Sequence, residues 1–286
     1  MLSVDAVPDA GSAADVTARR EQLGGKGANQ AVALAQLGVR PRLVAVAGED
    51  VIGDVLLDQA RRDGIDVAAV VRRRGALTGL IAEVLDADGQ WRYVQHLPED
   101  VLLTEDDVTA ARAVIGGADA VLVQLQQPPA AALAAARIGH DAGRLVVLDG
   151  APEEQRDELL ALADVVRADE QEAELLLDGK ATAEKARALL EKGPRLLALG
   201  VEDGNLFVWR DGHLRLPLTD DKVVDTTGGG DAFTASLTAA LLRGEDPATA
   251  ARWAVAASGA TVGHASGRPD LRTEELEKRV RELAGG

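Results

Sequence analysis

The amino-acid sequence predicts an α/β fold. From about residue 42 onward, short apolar runs of strand length alternate with amphipathic segments of helix length. This alternation is typical of a parallel sheet whose strands are connected by helices. Aromatic residues make up only 2% of the chain, so alanine, valine and leucine must build most of the core, which favours helices packed on a sheet.

The strands follow from the apolar runs. We expect strands of the sheet at residues 42–47, 120–125, 144–148, 164–166 and 195–199. Two stretches interrupt the alternation, each as a pair of extended runs around an Asp-Gly dipeptide, which favours a hairpin turn. The first pair, at 79–86 and 91–97, predicts a small β-flap, and the second pair predicts a hairpin at 205–209 and 213–218.

The helices follow from apolar residues that recur at helical spacing. We expect them at residues 31–37, 51–62, 105–115, 129–141, 154–162 and 183–191, then from residue 231, near 247–262 and near 273–283. The sequence shows no internal repeat and no linker. A chain of 286 residues therefore predicts a single domain that spans residues 1–286.

Composition excludes several classes of function. The chain has 31 Lys and Arg against 47 Asp and Glu, a formal net charge of −16, which argues against a nucleic-acid partner. It contains no cysteine, which excludes disulfides and thiolate chemistry. It has neither an apolar run of about 18 residues nor the pattern of a signal peptide. We therefore expect a cytoplasmic protein without a membrane partner.

A glycine-rich loop near the C-terminus is the first candidate functional segment. It reads Asp225-Thr-Thr-Gly-Gly-Gly-Asp231 and directly precedes a helix. Glycines before a helix leave backbone amides free to converge on a phosphate, where the helix dipole also favours negative charge. Asp231 could then accept a proton from an attacking hydroxyl. Alternatively, the glycines form a tight turn and Asp231 is the helix N-cap.

A second glycine-rich segment lies near the N-terminus. It reads Gly24-Gly-Lys-Gly-Ala-Asn-Gln30, and its lysine and asparagine can donate hydrogen bonds to the hydroxyls of a sugar. The alternative is a glycine-rich helix entry with a solvated lysine.

Together the two segments resemble the PfkB, or ribokinase-like, family of carbohydrate kinases. Residues 48–53, 169–174 and 199–200 lie between them in the order that the family shows, so the similarity covers nearly the whole chain. The resemblance implies a central, mostly parallel sheet with helices on both faces and a small β-lid formed by residues 16–23 and 79–97. It also implies a possible homodimer through the lid.

The implied function is ATP-dependent phosphorylation of a hydroxyl on a sugar or sugar-like substrate. The alternatives are a nucleoside kinase of the same fold and a catalytically weakened sugar or nucleotide sensor. By resemblance, Asp231 is the general base, and an anion hole for the phosphoryl group is formed by Gly228, Gly229 and Gly230. The implied cofactors are ATP, Mg²⁺ and a monovalent cation, usually K⁺.

The resemblance also implies three sets of binding residues. The substrate is expected to contact Gly24, Gly25, Lys26, Asn29 and Gln126. The nucleotide site is expected to include Asp169, Glu172, Leu199, Gly200, Thr226, Gly228 and Gly230, with Glu172 acting indirectly on magnesium. The monovalent cation is expected to lie beside Asp225, Thr227, Thr261, His264, Ser266 and Asp270.

The sequence departs from the family pattern in three places. The usual asparagine is Asp169, and Gln126 replaces a sugar-contacting glutamate of ribokinase. In addition, residues 8–11 match a turn that normally follows a first strand and its sugar-binding aspartate, so we expect both to be missing here. Either the true start lies upstream, which we favour, or the short form lacks one substrate contact.

Overall fold

The computed structural model describes residues 1–88, 90–219, 223–263 and 267–285. The strands of this part of the chain are β1 (Leu2–Val4), β2 (Val16–Arg19), β3 (Val46–Gly48), β4 (Val71–Arg73), β5 (Leu80–Leu85), β6 (Trp91–His96), β7 (Ala120–Gln124), β8 (Leu145–Asp149), β9 (Val165–Ala168), β10 (Leu196–Val201), β11 (Gly204–Trp209) and β12 (Gly212–Pro217).

The helices of the same residues lie close to the predicted segments. They are α1 (Lys26–Gln36), α2 (Val51–Arg62), α3 (Glu105–Ala110), α4 (Arg112–Gly116), α5 (Pro129–Asp141), α6 (Arg156–Leu162), α7 (Glu170–Leu176), α8 (Ala183–Leu190), α9 (Gly229–Leu242), α10 (Pro247–Val262) and α11 (Thr273–Gly285). The predicted helix at 105–115 is divided in two at Ala111, and α7 was not predicted as a helix.

A six-stranded sheet forms the centre of the molecule, in the order β12-β11-β10-β9-β8-β7. Strands β7 to β10 are parallel, while β11 and β12 extend the sheet as the predicted antiparallel hairpin. The parallel strands alternate with helices along the chain, as the sequence predicts. Their carboxyl ends therefore meet at one edge, which is where open α/β sheets bind ligands.

Two apolar clusters cover opposite faces of this sheet. Along β8, Val146 and Leu148 pack on one side with α5, whereas Val147 packs on the other side with α9 and α10. Side chains of a strand alternate between faces, so a strand buried on both sides must be continuously apolar. Phe207 stacks on Phe233 of α9 at 5.6 Å between ring centroids, which anchors this helix to the sheet.

The predicted strand at 42–47 differs from expectation. Only β3, at its end, is a strand, and it pairs in parallel with β4 in a separate two-stranded sheet. Earlier in the segment, Arg42 forms an isolated bridge with Asp66. Within the described residues this segment does not join the central sheet, which ends at β7.

A second sheet forms the small β-lid, in the order β2-β1-β5-β6. The hairpin β5-β6 lies in the predicted flap, and β2 lies in the predicted segment 16–23. The N-terminal residues form β1, which pairs with β2 and β5 of the lid and not with the central sheet. The absence of a first family strand from this sequence stays a prediction.

Across the described ranges, no helix combines the length and apolar character that crossing a bilayer requires.

Candidate active site

A cleft lies between the lid and the carboxyl ends of the central strands, and it belongs to a cavity of about 2080 Å³ that continues along the β7 edge of the sheet. Both glycine-rich segments line it, together with side chains of the lid and of β9. The lining of the cleft includes Lys26, Asn29, Trp91, Tyr93, Arg167 and Asp231. A large cleft with a few convergent polar groups is the usual form of a small-molecule site.

The C-terminal glycine loop enters α9 through a left-handed residue. Gly228 is the N-cap of this helix and has a φ of 76°. A Cβ atom at this position would collide with the carbonyl oxygen of Gly267, so glycine is required for two reasons. Gly229 and Gly230 form the start of the helix, where the first backbone amides have no intrahelical acceptor. The loop therefore presents amides at a helix N-terminus.

Asp231 lies in the first turn of α9 and is 6% exposed. Because Gly228 occupies the N-cap position, the alternative that Asp231 caps the helix is wrong. Its carboxylate instead points to the other glycine-rich segment: Asn29 Nδ2 donates a hydrogen bond to Asp231 Oδ2 at 2.9 Å. Two segments separated by 202 positions in the sequence thus meet at one carboxylate.

The N-terminal segment is also built around a glycine. Gly25 has a φ of 91° and is the N-cap of α1, which begins at Lys26, earlier than predicted. Asn29 and Gln30 follow in the first turns of this helix and are both buried. With the helix starting in this way, the amide side chain of Asn29 points toward Asp231. Lys26 lies in the same cleft.

A buried polar network lies behind Asp231, and sequence reasoning missed it. Asp149, at the carboxyl end of β8, is 1% exposed. It accepts hydrogen bonds from Gln30 Nε2 at 2.7 Å, Arg167 Nη1 at 3.1 Å and Thr234 Oγ1 at 3.3 Å. The sequence held one indication of this network. Open α/β sheets bind ligands at the carboxyl ends of their strands, so an aspartate or arginine that ends an apolar parallel strand is a candidate site residue.

The pKa of Asp231 is raised to about 6. Burial is the largest cause, since it disfavours the charged form, and the nearby Asp149 carboxylate adds to it. The hydrogen bond from Asn29 and the charges of Lys26 and Arg167 act in the opposite direction. Asp231 is therefore a carboxylate that changes protonation state close to neutral pH.

The lid contacts the glycine loop directly. Trp91 Nε1 donates to Thr226 Oγ1 at 3.2 Å, and the Tyr93 hydroxyl lies 2.6 Å from Thr227 Oγ1. Thr227 Oγ1 also donates to Glu83 Oε1 at 3.2 Å. Burial and the charge of Asp225 raise the pKa of Glu83. These lid side chains were not predicted as site residues.

Asp225 is buried beside this contact. Its Oδ1 accepts a hydrogen bond from the Thr227 backbone amide at 2.9 Å, whereas its Oδ2 is buried without a partner among the described residues. Thr261 is also buried, but its hydroxyl donates to the Ala257 carbonyl. Asp270 is exposed, and no described contact joins it to the loop. His264 and Ser266 lie outside the described residues.

The remaining predicted residues are spread along the cleft and beneath it. Asp169 and Glu172 form a reciprocal capping box at the start of α7. Gln126 is exposed at the margin of the cleft. Leu199 is fully buried in the core, so its side chain does not line an open nucleotide site, which corrects that expectation. Gly200 packs against the backbone of Asp169 and Glu170.

Comparison with known proteins agrees with this architecture. The family described as pfkB family carbohydrate kinase matches residues 2–274. A ribokinase of Haemophilus influenzae is 30% identical over 88% of this chain and 85% of its own length. An ATP-dependent ribose-1-phosphate kinase of Halopiger xanaduensis is 31% identical over 93% of this chain and 89% of its own. A solved ribokinase of Thermotoga maritima superposes with a TM-score of 0.81 at 26% identity, covering 98% of this chain and 95% of that one.

The fold is an α/β fold in which a glycine loop at the N-terminus of a helix lies beneath a β-lid. The chain belongs to the pfkB family of carbohydrate kinases. It is a phosphotransferase that uses an alcohol group as acceptor. The family and the fold class predicted from the sequence are thus confirmed.

Burial of Asp231 predicts a specific dependence of stability on pH. Its folded pKa of about 6 lies above the ordinary value of 3.8, so the fold opposes ionisation. Stability is therefore highest below the unfolded pKa and is lost as pH rises through the folded pKa, by roughly 3 kcal/mol. Asp231→Asn removes this cost. We expect it to be more stable than the wild type at pH 8, with a much smaller difference near pH 4.5, as measured by urea unfolding.

The matched control is Asp211→Asn, at an exposed position in the β11-β12 turn. It should change stability little at either pH. A difference between Asp231→Asn and the wild type that is the same at both pH values would contradict the raised pKa.

Proposed function

We propose that this protein is an ATP-dependent kinase that phosphorylates a hydroxyl of a sugar, with Asp231 as the general base. The observation that carries the proposal is the hydrogen bond from Asn29 to Asp231, which joins the two glycine-rich segments at one carboxylate. Polar groups suited to sugar hydroxyls thereby lie beside a loop suited to a phosphate. A hydroxyl held by the first segment would stand next to the base and the loop.

The proposed reaction is a single in-line transfer. Asp231 accepts the proton of the substrate hydroxyl, whose oxygen forms a bond to the γ-phosphorus of ATP. The bond from that phosphorus to the bridging oxygen breaks, and ADP leaves with the bridging electron pair. The backbone amides of Gly228, Gly229 and Gly230 stabilise the charge on the transferred group as an anion hole.

The raised pKa of Asp231 suits this role. A base works best when its pKa lies near the operating pH, because it must be ionised and still attract a proton. A pKa of about 6 leaves Asp231 ionised at pH 7.5 and makes it a stronger base than an exposed aspartate. Burial of the carboxylate, which costs stability, is thus the source of its basicity.

The substrate end of the cleft is assigned to the N-terminal segment. Lys26 and Asn29 would donate to sugar hydroxyls, and Gly24 and Gly25 would allow the sugar to approach the backbone. Gln126 lines the same cleft from the loop after β7. The relatives include a ribokinase, a fructokinase and a ribose-1-phosphate kinase, which supports a pentose, a hexose or a pentose phosphate as the substrate class.

The donor is proposed to be ATP with Mg²⁺. The name of the Halopiger relative supports ATP as the donor. Asp169, Glu172, Gly200 and Thr226 are proposed for the nucleotide end, where Glu172 would act on magnesium indirectly. Burial and Asp169 raise the pKa of Glu172, so a nearby cation would help to keep it ionised. The magnesium ion would supply positive charge to the phosphate oxygens.

A nucleoside is the second candidate substrate. The rings of Trp91 and Tyr93 lie 4.5 Å apart in the lid and line the cleft above Asp231. Aromatic faces stack favourably on nucleobases. This pair favours a substrate that carries a base as well as a sugar.

A substrate panel tests the proposed function. Ribose, ribose 1-phosphate, fructose and adenosine are each supplied with ATP, Mg²⁺ and K⁺, and release of ADP is measured. We expect kcat/KM of at least about 10⁴ M⁻¹s⁻¹ for one of the sugars. Asp231→Asn should lower kcat by about 100-fold or more while nucleotide affinity stays unchanged, because the base is lost and the loop is kept.

Asp211→Asn again serves as the control and should keep full activity. A high rate with adenosine alone would favour the nucleoside kinase, whereas no ADP release with any acceptor would contradict both. Full activity of Asp231→Asn would show that another group is the base.

A monovalent cation is proposed beside Asp225. Its buried Oδ2, which lacks a partner among the described residues, is an available anionic ligand. Together with the backbone of Thr227 and the buried Thr261, it would hold K⁺ next to the glycine loop. His264 and Ser266, outside the described residues, and the exposed Asp270 are retained only from the family resemblance.

Potassium dependence tests this site. K⁺ should raise both turnover and thermal stability, and Li⁺ at the same ionic strength should not. Asp225→Asn should raise the K⁺ concentration needed for half-maximal activity at least about tenfold, as loss of metal-site contacts commonly does. Equal activity in K⁺ and Li⁺, or an Asp225→Asn variant with unchanged K⁺ response, would contradict the proposal.

A homodimer through the lid is proposed from the alternation of side chains in β5 and β6. Glu83, Trp91 and Tyr93 contact the glycine loop, so Leu80 and Val94, which alternate with them in β5 and β6, belong to the opposite face of the hairpin, where they are 60% and 69% exposed. An exposed apolar face on a small sheet is a common association surface.

We expect a dimer in light scattering, and Leu80→Lys/Val94→Lys should convert it to a monomer. A monomeric wild type at micromolar concentration would contradict this.

A further inference from the structure

We propose that Arg167 is a further catalytic residue, whose guanidinium contacts the phosphoryl group at the glycine loop during transfer. The proposal rests on the proposed kinase function. Nothing in the motifs of the sequence pointed to this residue, which lies near the carboxyl end of β9, two positions before Asp169.

The first observation is the position of the guanidinium. A Cβ atom built on Gly230 would lie 2.6 Å from Arg167 Nη2, so the two residues are in direct contact. Gly230 belongs to the first turn of α9, whose amides form the proposed anion hole. A bound anion at these amides would therefore lie within reach of Arg167.

The second observation is how the side chain is held. Arg167 is 14% exposed, and its Nη1 is fixed by Asp149 at 3.1 Å, with Glu172 at 3.9 Å. The guanidinium lies over the Phe233 ring at 5.9 Å from the ring centroid. No hydrogen bond between described residues engages Nη2, and Arg167 lines the cleft together with Gly228, Gly230 and Asp231. One nitrogen is thus anchored while the other is open to a ligand.

The third observation is the local charge. The carboxylates of Asp149, Asp169 and Glu172 act on the charge of Arg167, and Arg167 and Asp149 act on Asp231, in a chain of net charge −16. Although burial opposes its charge, the carboxylates of Asp149 and Glu172 raise the pKa of Arg167, so it stays a cation. A pre-positioned cation among these carboxylates lowers the cost of bringing the anion in.

Arginine suits this position chemically. Its planar fork can hydrogen-bond two phosphate oxygens while another nitrogen keeps an anchor, and it cannot lose its proton at physiological pH. In the transfer, negative charge spreads over the three equatorial oxygens of the phosphoryl group. Arg167 would stabilise these oxygens on one side and the loop amides on the other. The proton still passes from the acceptor hydroxyl to Asp231.

The competing explanation is that Arg167 only neutralises the buried Asp149. Removing the arginine alone would then leave an unpaired buried carboxylate and damage the fold. A double-mutant cycle separates the two roles, because Asp149→Asn removes the charge that a purely structural arginine would serve. The variants are Arg167→Ala, Asp149→Asn and the double variant, measured at pH 8 so that Asp231 is ionised in each.

We expect Arg167→Ala to lower kcat by about 100-fold in both backgrounds, as the loss of one oxyanion donor does. Affinity for ATP should fall about tenfold while affinity for ADP changes little, because Arg167 lies at the end of the site next to Asp231. Guanidinium ion should partly restore the turnover of the double variant, and sodium at the same concentration should not. Arg187→Ala, at an exposed position on α8, is the control and should be neutral.

Two results would overturn the proposal. One is a loss that disappears in the Asp149→Asn background, which would make Arg167 a counter-ion only. The other is an equal loss of ATP and ADP affinity. A wild type that binds ATP but phosphorylates no acceptor would refute the proposed function separately. In that case the effect of Arg167→Ala on the ratio of ATP to ADP affinities would still decide whether Arg167 contacts the terminal phosphate.

Discussion

The burial of one carboxylate between two helix N-termini is the constraint on which the site depends. Asp231 lies in the first turn of α9 and Asn29 in the first turn of α1, and their hydrogen bond fixes the two helices against each other. Burial raises the pKa of Asp231 to about 6, and the fold must offset that cost elsewhere. Both helices pack on the apolar cluster beside Val147 and Phe207, which supplies the compensating stability.

The network behind Asp231 follows from the same constraint. A buried carboxylate would be disfavoured beside a second one, yet Asp149 lies there with almost no exposure. Gln30, Thr234 and Arg167 satisfy its oxygens and balance its charge, so both acids are tolerated. The arrangement leaves one face of Arg167 directed at the glycine loop. The need to neutralise Asp149 thus also holds a cation where a phosphate would enter.

The lid is in direct contact with the glycine loop. Trp91 and Tyr93 contact the threonines of the glycine loop, so the position of the lid and the geometry of the loop are linked. Glu83 adds a buried acid beside Asp225, and its pKa is raised by burial and then by the neighbouring charge of Asp225. An added cation near Asp225 would relieve this repulsion. The lid therefore contributes to the electrostatics of the glycine loop as well as contacting it.

The sequence by itself determined the fold class, most element positions and the family, because apolar periodicity and glycine loops are local signals. It also predicted Asp231 and Asn29 as site residues, since both lie in recognisable motifs, and the structure brings these two residues into contact. It misplaced the strand at 42–47 and assigned Leu199 to a wall of the site, because pairing and burial depend on distant residues. Only the tertiary structure brought Gln30, Asp149 and Arg167 together. Each is an ordinary residue in its own segment, and its role arises from neighbours far away in the chain.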